Sequence, residues 1–506
     1  MNSKSLKANA FWNIFATIIN MLLLFVLTPV ITNGLGDVNY GAYVILSTIG
    51  GALTIIDLGL GEATLRYVAY YFGKNDYIGV NRVFSATLFL YTVLGFFVTF
   101  VFALFPHILI SLLNLEALGN DGPLLIRLTL GLFLLTFISG CFGSIPQALQ
   151  RFDIASYINI AQNVSRFILN IFVVYKGYGL KGLVVCNFIL GAVFLLIQIV
   201  VSKKILSTLN LFVVPKLRDY KEIFGYGFFA FIRQTFGLIW QYCDNILLSV
   251  FLGPQFVGYF SIPMQIIGKI QGIVSSGTNV LFPRFAAEKD DALVNSLYIR
   301  STQLALFTSM VIFVPFTLVV DDFLALWISE SFASKAAIIA PILSFSYILR
   351  GAFLPYESLL KGLGYSKHIM FITIFSSLVI LGLDVTFIPK FGLNGVGLAY
   401  VFSSLVGVVV IILIWKNIIK HPFSELFKLV FSPYLLSWVS LFLLYLLKTQ
   451  IQLDLNFLTL IVKAFIFFLL NLIFMFLVYR KVDKEFVSII LANISKVLEK
   501  CHLRKV

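Results

Sequence analysis

Residues 83–105 read VFSATLFLYTVLGFFVTFVFALF, twenty-three positions without a charged side chain. A helix of about 20 such residues crosses the roughly 30 Å of bilayer hydrocarbon, so this stretch reads as a transmembrane helix. Thirteen more runs of comparable length surround it, near 11–32, 40–61, 123–149, 152–175, 180–201, 223–252, 258–283, 301–320, 336–360, 368–388, 393–415, 428–447 and 457–479. The composition agrees: 60% of the 506 residues are hydrophobic and 12% are charged, where soluble domains carry roughly 25% charged residues. Mean hydropathy is +0.98. The runs are continuous and do not alternate, which excludes an outer-membrane barrel. The expected fold is an all-α polytopic membrane protein of about fourteen transmembrane helices.

The net charge of +14 would suit nucleic acid if it were clustered on a solvated face, but Lys and Arg fall mostly in short segments between apolar runs. The distribution is a topology signal, and no nucleic-acid partner is expected. The first run follows Lys4 and Lys7 and has no small-residue cleavage signal, so it reads as a retained helix with a cytoplasmic N-terminus. With that orientation 26 of the 37 Lys and Arg lie inside, 5 outside and 6 within spans, which places both termini in the cytoplasm. Cys141, Cys186 and Cys243 sit inside apolar runs without regular spacing. They read as packing residues, and no metal or other cofactor is expected.

Two stretches repeat. Leu35-Gly36 and Gly41 match Leu252-Gly253 and Gly258 at an offset of 217, while Gly179-Leu180-Lys181-Gly182 matches Gly392-Leu393-Asn394-Gly395 at 213. Six spans separate the paired elements. An even count gives both copies the same orientation, which predicts two six-helix lobes related by a pseudo-two-fold axis along the membrane normal, with a cleft between them. The lobes are assigned to 1–204 and 205–420, followed by two additional helices in 421–482 and a basic cytoplasmic tail in 483–506.

Ten ionisable residues fall within the spans: Asp57, Arg127, Arg166, Arg233, Asp244, Lys269, Arg350, Glu357, Asp384 and Lys463. At about 3 kcal/mol each on the insertion scale they cannot face lipid. Lys463 and Arg127 lie close enough to span ends to reach the interface. The others require a polar interior, and helical spacing supplies one. Gln265, Lys269, Gly272, Ser276 and Asn279 recur at spacings of 4, 3, 4 and 3; Asn159, Gln162, Arg166 and Asn170 form a second stripe. Arg233, Gly237, Trp240 and Asp244 form a third, with Gln241 beside it, and Asn9, Asn13, Thr17 and Asn20 a fourth. Interhelical hydrogen bonding without a cavity is the alternative, and it explains Asn and Gln better than Arg. Arg166, Arg233, Lys269 and Arg350 sit near the middle of their spans, whereas Asp57, Glu357 and Asp384 lie nearer the ends. Cations at mid-depth suit an anionic head group, since guanidinium binds phosphate in bidentate fashion. A purely structural reading, each Arg neutralising a carboxylate, also stands. Pro29, Pro263, Pro315 and Pro355 interrupt spans and permit bending.

The segment Leu35-Gly36 through Tyr40-Gly41-Ala42-Tyr43, followed by Asp57-Leu58-Gly59-Leu60-Gly61-Glu62-Ala63-Thr64-Leu65-Arg66-Tyr67-Val68-Ala69, resembles the opening of the Wzx-type O-antigen and polysaccharide flippases. These belong to the multidrug, oligosaccharidyl-lipid and polysaccharide exporter superfamily. The Gln150-Arg151-Phe152 loop and the Gly179-Leu180-Lys181-Gly182 connection are similar to that family too. The resemblance implies a twelve-helix two-lobed core in the bacterial cytoplasmic membrane, with two helices more here, as in the related lipid II flippases. It implies flipping of undecaprenyl-pyrophosphate-linked oligosaccharide to the outer leaflet through a cationic cavity by alternating access. On that reading Arg166, Arg233, Lys269 and Arg350 hold the head group, and Asn13, Asn20, Gln162, Asn170, Gln241, Gln265 and Asn279 meet the sugars. Asp57, Asp244, Glu357 or Asp384 would exchange a coupling ion. The partners implied are the lipid-linked oligosaccharide, the bilayer, and polysaccharide polymerase or assembly proteins.

Two other classes fit less well. A drug or small-cation antiporter of the same superfamily favours carboxylates at mid-depth, where this chain has cations. A polytopic polymerase or ligase needs a sizeable external loop with catalytic groups, but the longest outer segment, 106–122, carries only His107, Glu116 and Asp121 as ionisable residues. No enzyme activity is expected.

Overall fold

The computed structural model describes residues 3–211, 213–279, 282–288, 290–414, 424, 427–450 and 454–488. Hydrocarbon offers no partner to a free peptide group, so each apolar run closes its hydrogen bonds within its own helix. In chain order the helices are α1 (Ser3–Ala52), α2 (Leu60–Gly73), α3 (Tyr77–Leu104), α4 (Pro106–Leu112), α5 (Gly122–Ala148), α6 (Phe152–Tyr175), α7 (Gly179–Ile205), α8 (Leu217–Leu252) and α9 (Pro254–Asn279). There follow α10 (Phe282–Ala287), α11 (Asp291–Trp327), α12 (Glu330–Ala336), α13 (Ile339–Arg350), α14 (Phe353–Gly362), α15 (Ser366–Phe391), α16 (Leu393–Ile414), α17 (Ser432–Gln450) and α18 (Phe457–Val482). They gather into two compact units, Met1–Gly258 and Tyr259–Val506.

Ten helices among the described residues are long and apolar enough to cross a membrane. The first, Thr17–Asp57, has 41 residues, about 60 Å of helix and twice the hydrocarbon thickness. It is two spans joined at Gly36, whose φ of 74° and ψ of 167° break the helical path. Gly253, the repeat partner of Gly36, has φ 101° and ψ 166° between α8 and α9. Both lie in a region open essentially to glycine alone, which is why the repeat keeps this residue. Gly179 and Gly392 likewise share φ values of 61° and 60°. The three remaining expected spans are α6, α9 and α16, helices of 24, 26 and 22 residues. α6 and α9 carry the polar stripes that lower their apolarity.

In the N-terminal unit α1 packs along α6, and α5 packs between α3 and α7. α2, a helix outside the expected spans, lies against α3 and α5, where Leu60, Val68, Val83, Phe84, Phe142 and Ile145 form an apolar core. The Asn81 side chain donates to the Thr208 carbonyl at 2.8 Å and accepts from the Asn210 N–H at 3.1 Å, strapping the segment after α7 onto α3. The backbone of Gly41 rests on the Pro254 carbonyl, and Gly258 packs against the Tyr40 ring. Gly41→Ala is therefore expected to lower the thermal stability of the detergent-solubilised protein more than Gly36→Ala does. A Cβ at Gly36 meets open space and costs about 1–3 kcal/mol through its φ alone, whereas at Gly41 it overlaps a backbone oxygen.

In the C-terminal unit α11 is the axis, with α12, α13, α14, α17 and α18 around it. Polar bonds hold the last two helices to it at three levels. Arg300, in the second turn-pair of α11, bridges Asp483 and Glu485 just beyond α18. Midway, Asn471 donates to the Met310 carbonyl at 3.0 Å and accepts from Ser440 at 2.9 Å. Near its other end Asp321 pairs with Lys448 at 2.7 Å and Asp322 with Lys463 at 3.1 Å. Lys463 thus has a carboxylate on α11, an ion pair that replaces the expected reach to the interface. Arg127 is exposed and donates from Nε to the Ala103 carbonyl at 3.3 Å.

The expected span at 336–360 is broken between α13 and α14. Pro355 has no N–H to give the carbonyl four residues back, which belongs to Gly351, and its ring crowds that carbonyl. The helix consequently ends at Arg350 and restarts at Phe353.

Candidate functional site

The α6 stripe packs toward α1 and α7, and its residues separate into two groups. Nearer the start of α6, Asn20 of α1 donates to Asn159 at 3.0 Å and accepts from Asn163 at 3.0 Å, while Asn163 also donates to Asn159 at 3.1 Å. Both functions of the Asn20 amide are committed here, which is the interhelical arrangement weighed for Asn and Gln.

Further along α6 lies Arg166, half-buried, with Asn170 one turn on and fully buried. Tyr43 of α1 and Asn187 of α7 stand beside them. Arg166 Nε and both polar atoms of Asn170 are shut off from solvent with no hydrogen-bond partner among the described residues. No ion pair involving Arg166 occurs among those residues either. A guanidinium inside an expected span, surrounded by neutral amides and a phenol, keeps its charge available to an anion.

Arg350 is held differently. Its Nε donates to Ser404 of α16 at 3.1 Å, and its guanidinium carbon lies 5.2 Å from the Tyr347 ring centroid and 4.9 Å from that of Tyr400. Two aromatic faces orient the cation and partly replace its hydration. Arg350 also closes α13, where the carbonyl end of the half-helix favours positive charge.

The remaining expected residues are dispersed. Gln162 is half-buried and lines a cavity with residues of α5 and α7. On α9 Gln265 is half-buried and Lys269 exposed; on α8 Gln241 is exposed and Asp244 buried. Asp384 is completely buried in α15. Asp57 accepts the Gly61 N–H at 3.3 Å and the Tyr91 hydroxyl proton, so it caps the start of α2. Glu357 pairs with Lys361 one turn away at 2.6 Å. The side chains of Asn13, Arg233 and Asn279, and the tail beyond 488, lie outside the described residues.

Sequence reasoning missed Tyr43, Asn187, Gln198, Tyr347, Tyr400 and Ser404. Asn187 and Gln198 lie eleven residues apart in the apolar run of α7, about three turns and so on one face, but with apolar residues or glycine between them on that face. Their only sequence signal is an amide where hydrocarbon would exclude one.

The model of the polysaccharide biosynthesis protein family matches residues 6–289. An uncharacterized membrane protein of Methanocaldococcus jannaschii is 25% identical over 410 residues, covering 75% of this chain and 78% of that one. A putative O-antigen transporter of Shigella flexneri is 21% identical over 408 residues, covering 78% and 94%. Among solved structures, the lipid II flippase MurJ in its inward closed conformation superposes with a TM-score of 0.73 at 16% identity, covering 94% of this chain and 99% of the other. An inward-facing multidrug resistance MATE family transporter of the MOP superfamily gives 0.65 at 16% identity, covering 82% and 99%. Identities this low speak for the fold alone, and the fold is the all-α polytopic one that the apolar runs predict.

Proposed function

Because the chain belongs to the polysaccharide biosynthesis protein family, we propose that it flips a lipid-linked oligosaccharide across the membrane, as a transporter and not an enzyme. The substrate is an undecaprenyl-pyrophosphate-linked repeat unit, taken from the cytoplasmic to the outer leaflet of the cytoplasmic membrane, with both protein termini in the cytoplasm. The observation that carries this reading is Arg166: a half-buried guanidinium within the expected span α6, without a carboxylate partner among the described residues.

The physical problem of flipping is the head group. A polyprenyl tail stays in hydrocarbon, but a diphosphate and its sugars lose their hydration there at prohibitive cost. Arg166, Arg233, Lys269 and Arg350 would replace that hydration for the diphosphate. Asn13, Asn20, Gln162, Asn170, Gln241, Gln265 and Asn279 would serve the hydroxyls, with the Asn20 amide exchanging its α6 bonds as sugar arrives. Two lobes, 1–204 and 205–420, would expose the site alternately to each side, while the helices of 421–482 remain attached to the second. Proton exchange at Asp57, Asp244, Glu357 or Asp384 would couple the cycle to the membrane gradient. Polymerase or assembly proteins would take the delivered unit.

Deletion of the gene tests this in cells. Lipid-linked repeat units are expected to accumulate on the cytoplasmic leaflet while surface glycan disappears. Normal surface glycan in the deletion strain would refute the proposal.

A further inference from the structure

At the end of the N-terminal unit where α5 finishes, α6 begins and α7 finishes, the helices line an open-sided cavity of about 150 Å³. Its lining includes Phe142 and Gln147 of α5, Asn159 and Gln162 of α6, and Gln198 and Ser202 of α7. We propose that this cavity is a binding subsite for one neutral pyranose ring, separate from the cationic groups that take the diphosphate. The inference rests on the glycan-transport reading and names a place for the sugar.

Three features support it. The first is chemistry: no charged side chain lines the cavity, so it selects neither phosphate nor a cation. A sugar ring presents hydroxyls that both give and accept hydrogen bonds, and primary amides do both from one side chain. The second is availability. Among the described residues the side chains of Gln147, Gln162 and Gln198 make no hydrogen bond, and Gln198 Oε1 is closed off from solvent without a partner. Gln147 is exposed and Gln162 and Gln198 are half-buried, so the cost falls on the Gln198 oxygen, since a buried polar atom without a partner costs about 1–3 kcal/mol. Rotation about the last, broad torsion of Gln198 turns its oxygen toward an incoming hydroxyl. Ser202 donates to the Phe142 carbonyl at 3.2 Å, which leaves its oxygen as an acceptor. The third is size: about 150 Å³ is the volume of a protein cavity that admits benzene, and the open side of this one leaves room for the substituents of a pyranose ring. Phe142 adds an apolar surface of the kind that the C–H face of a pyranose covers.

The absence of charge gives the subsite a distinguishing property. Sugar binding here is insensitive to ionic strength, whereas head-group binding at the arginines weakens with salt.

The test uses the full chain in lipid nanodiscs and methyl glycosides of glucose, galactose and N-acetylglucosamine, read by saturation-transfer NMR. At least one glycoside is expected to bind saturably, with the same affinity at low and high salt. The double variant Gln162→Leu, Gln198→Leu is expected to weaken binding by about tenfold or more, from two lost neutral hydrogen bonds. Gly143→Ala is the gentler variant: its Cβ meets only Gln198 Oε1 at 3.5 Å, an ordinary contact, so the fold is kept while that oxygen is covered and binding falls. Saturable but unaltered binding in both variants, or no saturable binding of any of the three glycosides, would overturn the subsite. Transport of the complete lipid-linked substrate is read separately. A chain that transports without binding glycosides refutes this subsite alone, and a chain that binds glycosides without transporting refutes the flippase reading.

Discussion

Replacing Arg350 by glutamine is expected to reduce export of the lipid-linked glycan by about 10- to 150-fold, the loss of one charge-assisted hydrogen bond of about 1.5–3 kcal/mol. The reason is local. The Tyr347 and Tyr400 rings and the Ser404 hydroxyl hold the guanidinium in place, so its orientation is fixed before substrate arrives. Arg350→Lys keeps the charge but loses the Nε bond to Ser404 and the planar fork, and is expected to fall between wild type and Gln. Tyr400→Leu removes one aromatic face and leaves the arginine; a smaller decrease is expected, about the 0.5–2 kcal/mol of a cation–π contact. Export normalised to the amount of monodisperse protein in the membrane checks this order. A uniform loss in all three variants, accompanied by lower monodisperse yield, would assign Arg350 to folding and not to substrate.

The second large effect is on stability. Arg300→Met is expected to cost about 2–3 kcal/mol, less than a fully buried pair because the Arg300 side chain is 26% exposed. The loss falls on the attachment of α18, since among the described residues Asp483 then keeps only Gln303 and the Phe486 N–H as partners. Burial pushes the Asp483 carboxyl up, but bonds from Gln303, the Phe486 N–H and Arg300 outweigh it and hold the carboxyl below its ordinary value. A carboxyl depressed in the folded state contributes stability that is complete above its unfolded value, near 4, and disappears as pH falls through the folded value. Wild-type protein should therefore lose thermal stability as the pH drops below about 4, and Arg300→Met should lose less over the same interval. Parallel pH curves for the two proteins would show that the pair contributes nothing.

Much of the architecture was legible because bilayer thickness imposes a length on every apolar run. The repeat was legible for a sharper reason: Gly36 and Gly253 adopt backbone angles that only glycine tolerates, so the same letter had to stand at both positions. The break after Arg350 was less visible. Pro355 predicts a bend, but a simple kink and a full interruption look alike in sequence, as the unbroken helices around Pro29, Pro263 and Pro315 illustrate. The short helices α4, α10 and α12 are too brief to carry a periodic signal.

The candidate site was legible where polarity repeats along one helix. Arg166 and Asn170 were found that way, and the structure adds Tyr43 and Asn187 from two other helices. Such partners depend on which apolar faces pack together, and one amide in a hydrophobic run does not say where it points. The same limit applies to α11, where Asp321 and Asp322 acquire meaning only from Lys448 and Lys463 more than a hundred residues away.

The central claim is that a cationic interior carries a pyrophosphate-linked oligosaccharide through the bilayer. Its most direct measurement is flipping of a fluorescent undecaprenyl-pyrophosphate oligosaccharide in proteoliposomes, scored by exposure to a membrane-impermeant quencher. Wild-type chain is expected to bring the inner-leaflet pool to the quencher within the assay, and the folded double variant Arg166→Gln, Arg350→Gln to leave that pool as protected as protein-free liposomes do. Wild-type vesicles that match protein-free ones, or a double variant that flips at the wild-type rate, would contradict it.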